Sequence, residues 1–447
     1  MDTPILDFVR RYAASGTARF HMPGHKGQGL LGCEALDITE VQGADALYEA
    51  QGIIARSEQN ASALFGSRRT LYSTEGSSQC IRAMLYLALT HRARGTSPLV
   101  VAARNVHRAF VHAAALLDMQ VQWLWPEESG SLCGCPVSAR QLEEVLSQLE
   151  APPAAVYLTS PDYLGGMADV TALAEICHRH GTLLLVDNAH GAYLHFLSPS
   201  LHPLDLGADM CCDSAHKTLP ALTGAAYLHI SSNAPESLAA DAKGAMALFG
   251  STSPSYLIMA SLDGCNALLA DDYPRQLARC VADMEGCRRK LADAGWQVQS
   301  NDPLRITLRM PQGLAGKTLA DRLRSQGMEC EYADEDFLVL MLTPNNDPSQ
   351  LERFVCVLGV NDRPVARPRQ LPLACGKQAV SIREALFAPH RLVPAEESLG
   401  CICGAPTVSC PPAIPIAVSG ERIGPEALEL FRLYGVEMVD VLCDFDC

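Results

Sequence analysis

Between about Ser73 and Ile230, short apolar runs alternate with stretches in which apolar residues recur every three or four positions. Apolar runs bounded by Gly, Pro, Asp or Ser read as strands, and the three-to-four spacing reads as helices packed on them. The expected strands are Leu99 to Ala102, Val121 to Leu124, Ala155 to Thr159, Leu183 to Asp187, Ala208 to Cys212 and Ala225 to Ile230. The helices between them are Ser77 to Arg92, His107 to Leu117, Ala139 to Leu149 and Val170 to His180. Such alternation predicts an α/β unit in three layers, a mostly parallel sheet with helices on both faces.

The flanks differ. Residues 1–35 open with an amphipathic helix-like piece and continue into a Gly- and His-rich loop, so they read as an arm. A major domain is expected over 36–265. Polarity rises beyond it, and a helix-like segment through Trp296 leads into alternation from Leu304 to Met310, the mark of a smaller α+β domain over 266–447. A Pro-rich stretch from Arg363 to Pro372 sets off a last subregion from about residue 373.

Composition narrows the function. The chain has 447 residues, 48% of them hydrophobic and 19% charged, enough apolar surface to offset the entropy of ordering a large backbone. Its net charge of −15, with no basic run, argues against nucleic-acid binding, which draws its affinity from clustered Lys and Arg. No apolar stretch is long enough for a bilayer, and the start carries charges where a signal peptide has an apolar block. No membrane association and a cytoplasmic location are therefore expected. The 18 cysteines are then expected to be reduced, buried thiols, and their close pairs lack the C-x-x-C spacing of zinc sites, so no metal is expected.

Four features fall at expected strand ends, where open α/β sheets bind ligands. Gly76, Ser77 and Ser78 open a helix, where free N–H groups and hydroxyls suit a phosphate. His107 follows a strand and offers a flat ring. Asp187 ends a buried apolar strand, where an ionised carboxylate requires a cation or several donors. Lys217 lies in Ser214-Ala215-His216-Lys217 after another strand, and a desolvated lysine is an amine nucleophile. Taken singly, these are also a Ser-capped helix, a surface histidine, a satisfied core acid and a solvated lysine. Together they match the phosphate, ring face, ring nitrogen and aldehyde of one ligand, pyridoxal phosphate.

With these segments stand Phe20-His21-Met22-Pro23-Gly24-His25-Lys26-Gly27, Thr159-Ser160-Pro161-Asp162-Tyr163 and Ser251-Thr252-Ser253-Pro254-Ser255-Tyr256. On them the chain resembles the ornithine/lysine/arginine decarboxylases, fold-type I pyridoxal-phosphate enzymes, in the short form without an N-terminal wing domain. The resemblance runs nearly the whole chain. It implies Lys217 as the Schiff-base lysine, Asp187 at the pyridinium, and His107 and His190 near the ring. Gly76, Ser77, Ser78, Ser214 and His216 would surround the phosphate, with Ser251 reaching it from a neighbouring subunit. It further implies a homodimer or higher homo-oligomer with active sites at the subunit interface, and α-decarboxylation of a basic amino acid to a polyamine precursor. Lys217 and His216 are the two candidates for returning a proton to Cα.

Four positions depart from the family pattern. Glu75 stands in place of Asn, Asn188 in place of Glu, Asp213 in place of a polar neutral residue and Asp162 in place of Thr. An aminotransferase or another lyase on the same fold is the closest alternative, because Lys217 and Asp187 would serve it equally. A non-catalytic scaffold that keeps the fold is another.

Overall fold

The computed structural model describes all residues except 128–129, 300, 365, 367–368, 409–413 and 444–447. Seven strands form the main sheet: β1 (Arg69–Ser73), β2 (Leu99–Ala103), β3 (Gln120–Leu124), β4 (Ala155–Thr159), β5 (Leu183–Asp187), β6 (Met210–Asp213) and β7 (Ala226–Ile230). Their order is β1-β7-β6-β5-β4-β2-β3, parallel except that β7 runs against both β1 and β6. β1 is absent from the sequence expectation. Arg69-Thr70-Leu71-Tyr72-Ser73 reads as polar, yet Thr70 and Ser73 are buried by bonds to His229, Gln79 and the Gly76 carbonyl.

The central strands are apolar because both sheet faces are covered. Along β5, Leu184 and Val186 enter a core shared with the helices Ala139–Ser147 and Val170–Arg179, whereas Leu185 faces the helices Ser77–Thr90 and Arg108–Leu116. Each buried Leu of this kind contributes about 1.5–3 kcal/mol. The alternation carries Asp187 to the sheet's C-terminal edge, 3% exposed.

A second, antiparallel sheet follows the long helix Tyr273–Asp293. It comprises β8 (Gln297–Gln299), β9 (Arg305–Arg309), β10 (Tyr332–Ala333) and β11 (Phe337–Met341) in the order β10-β11-β9-β8. Ile306, Leu308 and Leu338 pack with Leu319, Leu323 and Phe354 of its helices. Farther on, His390–Pro394 pairs antiparallel with Met438–Leu442, and Phe431 and Val441 join the core on one face of the main sheet. A buried ion pair fastens this last segment. Arg104, at the end of β2, meets Glu421 through Nη1–Oε1 and Nη2–Oε2 contacts of 2.6 and 2.7 Å.

The N-terminal helix Pro4–Ala14 is anchored by Asp263, whose Oδ2 accepts the N–H groups of Ile5 and Leu6. Beyond it Phe20 and Leu30 are fully exposed. Among the described residues fifteen cysteines are free thiols and Cys401 is disulfide-bonded, so no disulfide network forms there, but Cys356, Cys375 and Cys443 are exposed, which corrects the expectation of buried thiols. Part of the Pro-rich stretch and residues Cys410 to Ala413 and Cys447 lie outside the described residues. No helix among the described residues is long and apolar enough to cross a membrane.

Candidate active site

A cavity of about 610 Å³ opens at the C-terminal edge of the main sheet. It is lined by Gly76, Ser77, Ser78, His107, Asp187, His190, Ser214, His216 and Lys217, so the topology brings together every expected site residue but Ser251. Ser251 lies beside the cavity, where its N–H donates to Glu75.

The helix Ser77–Thr90 starts directly after β1. Gly76 turns the chain with φ +69°, a left-handed conformation that favours glycine, and no side chain caps the helix. The first helical N–H groups have no partner within the helix and face the cavity wall. Ser214, in the lining of the same cavity, has its Oγ buried without a hydrogen-bond partner among the described residues. An orphaned hydroxyl beside a helix N-terminus fits a phosphate.

Asp187 accepts the Tyr157 hydroxyl at 3.2 Å on Oδ2, and the Ala189 N–H (3.2 Å) and Cys212 thiol (3.6 Å) on Oδ1. It forms no ion pair among the described residues. Three neutral donors hold the buried carboxylate in place at the cavity wall. His107 caps the helix Arg108–Leu116, its Nδ1 accepting the Ala109 N–H at 3.2 Å. Burial lowers its pKa, against the opposing pull of Asp187.

Lys217 sits in the one-turn helix Ala215–Thr218 after β6. Its Nζ lies 3.0 Å from His190 Nε2. Desolvation lowers the pKa of Lys217, opposed by the charges of Asp187 and Glu331, and burial drives His190 well below the ordinary histidine value. His216 donates Nδ1–H to the Ala225 carbonyl at 2.9 Å. Desolvation lowers its pKa as well.

The four departures each have local partners. Glu75 lines the cavity beside the helix start and accepts the Ser251 N–H. Asn188 Nδ2 donates to Asp213 Oδ1 at 2.7 Å, and Asp213 Oδ2 also takes His202 and His229 Nε2 at 3.0 and 3.2 Å. Asp162 accepts the N–H groups of Leu164 and Gly166, and burial raises its pKa to about 6.

Two further residues reach the site from the second sheet, where no motif marks them. Glu331, just before β10, lines the cavity and accepts the Tyr163 hydroxyl at 2.9 Å. Arg305, at the start of β9, lies behind His190. Only the tertiary fold brings them there.

Residues 3–310 match the model for the Orn/Lys/Arg decarboxylase major domain. The chain is 29% identical to the uncharacterised protein YaaO of Bacillus subtilis, over 98% of this chain and 95% of that protein. It is 27% identical to the arginine decarboxylase of the same organism, over 95% of this chain and 92% of that protein. The crystal structure of Francisella novicida lysine decarboxylase LdcF superposes with a TM-score of 0.82 at 16% identity, covering 99% of this chain and 81% of the other. With its three-layer, mostly parallel major sheet and smaller α+β portion, the chain belongs to the Orn/Lys/Arg decarboxylase family.

Proposed function

We propose that the protein is a pyridoxal-phosphate-dependent carboxy-lyase that converts a basic amino acid, arginine, lysine or ornithine, to agmatine or a diamine plus carbon dioxide. The carrying observation is Lys217 Nζ, held 3.0 Å from His190 in one cavity with Asp187 and a phosphate-ready helix start. When bound, pyridoxal phosphate supplies an aldehyde for a C=N link and a ring that takes the electron pair left as the Cα–carboxylate bond breaks.

The chain's own residues do the rest. Lys217 would hold the cofactor's aldehyde carbon through Nζ, supplying the amine nucleophile that this chemistry requires. Asp187 would pair with the ring nitrogen and favour its protonated, electron-accepting form. Ser77, Ser78 and Ser214 would hold the phosphate, and His107 and His190 would contact the ring. Glu331 has no ion pair among the described residues and would face the distal cation of the substrate. With its Nδ1–H given to Ala225, neutral His216 offers only a lone pair at Nε2, so the proton that replaces carbon dioxide at Cα would come from Lys217 Nζ after it takes up a proton from the substrate amine. A homodimer, with Ser251 and the exposed Phe20 to Leu31 loop at its interface, completes the reading.

The test is to load the purified protein with pyridoxal phosphate, supply arginine, lysine or ornithine separately, and measure carbon dioxide and amine. Keto acid with accumulation of the aminated cofactor would instead identify an aminotransferase. Absence of any visible absorption band would favour a scaffold.

A further inference from the structure

Arg305 is 1% exposed, and its guanidinium is fixed on several sides. Nη1 donates to the Asp162 carbonyl, while Nη2 lies 3.4 Å from Asp302 Oδ2 and 3.1 Å from His190 Nδ1. A guanidinium has donors only and keeps its protons at any pH the fold survives. The Nδ1 atom it faces must therefore present a lone pair, and the single proton of neutral His190 must sit on Nε2.

That has a consequence for the nitrogen 3.0 Å beyond. Two nitrogens at this separation share one proton. An ammonium at Lys217 would need a lone pair on His190 Nε2, which requires the proton on Nδ1, the position Arg305 occupies. The remaining arrangement is Nε2–H donating to a neutral amine. We infer that Arg305 is a positioning residue of the site, locking His190 as the Nε2–H tautomer so that Lys217 is held as the free amine that captures the cofactor.

The inference rests on the functional reading of Lys217 above. The groups facing this trio are Asp187, Glu331 and Cys212 around Lys217, and His107 and His216 around His190. Asp187 and Glu331 favour the ammonium, so a device opposing them has work to do. Arg305 also opposes it through its charge, and the test must separate that from the tautomer lock.

Two measurements do so. In the full chain carrying ¹⁵N-histidine, two-bond proton–nitrogen correlation reads the tautomer of His190, assigned by the signal lost in H190Q. Nε2–H is expected, and an Nδ1–H tautomer or an imidazolium at pH 7 would overturn the inference. The second is the pH midpoint for capture of pyridoxal phosphate by cofactor-free protein, followed by growth of the visible band. Glutamine at position 190 carries an N–H donor that needs no lock. R305M should thus raise the midpoint by about one pH unit more in the wild-type background than in the H190Q background. Equal shifts would leave Arg305 a charge effect only and refute the lock. If R305M does not fold, the tautomer measurement decides. Wild-type protein that captured no cofactor would sink the functional reading, with the tautomer still deciding the lock.

Discussion

Removing one partner of the Arg104–Glu421 pair should destabilise the docking of the C-terminal segment on the main sheet. Both side chains are sealed, at 0% and 1% exposure, and the contact is bidentate. The guanidinium carbon lies 4.7 and 4.6 Å from the rings of Trp123 and Trp125, and Glu421 Oε2 also accepts the Val418 N–H at 2.9 Å. In E421A the guanidinium stays buried without its counter-charge and Val418 loses its acceptor, a loss of about 3–5 kcal/mol. R104M strands the carboxylate at similar cost. The double variant R104M/E421L buries no lone charge and should lose much less than the two single losses added together. Urea, which does not screen charge, is the denaturant of choice. Tryptophan fluorescence is the probe, because two of the chain's three tryptophans flank Arg104. Single variants that lose less than about 1 kcal/mol, or a double variant that loses the full sum, would refute this reasoning.

Other expectations follow from the cavity and its supports. K217A should abolish both the visible band and carbon dioxide release, measured on the same preparation. D187N should lower turnover about a hundredfold, the equivalent of two pKa units lost at the ring nitrogen, with cofactor still bound by absorbance. E331Q should raise KM for the basic substrate about tenfold, the worth of one charged hydrogen bond, while leaving cofactor uptake intact; unchanged KM would remove Glu331 from recognition. The Asp213 carboxyl is buried, and although desolvation opposes it, His202 and His229 hold its pKa well below the usual carboxylate range. Because the folded value is depressed, its stabilisation is present above the unfolded value of about 3.9 and disappears as pH falls toward the folded one. Acid unfolding of D213N should accordingly depend less steeply on pH than that of the wild type.

Strands β4 and β5 have the limits expected from their apolar runs, because both faces are buried and turn residues close each end. β1 escaped because its burial is satisfied by side-chain hydrogen bonds rather than hydrophobicity. Nor does any local pattern distinguish the reversed β7 from its parallel neighbours. Lys217 and Asp187 were legible because each follows an expected strand with its chemistry in one short segment, and the Gly76 turn was legible from its Gly-Ser-Ser run alone, since no strand was expected before it. Arg305 and Glu331 were not, since their partners His190 and Tyr163 are more than a hundred residues away.

The Asn188–Asp213 contact changes what can be exchanged between this chain and its relatives. Where the resemblance implies Glu at 188 and a polar neutral residue at 213, this chain has Asn188 donating to Asp213 at 2.7 Å. Reverting N188E alone would press two anions together in the core, and reverting D213Q alone would strip His202 and His229 of their shared acceptor. The two positions are thus epistatic. A chimera or an evolutionary path through this site must change them as a pair.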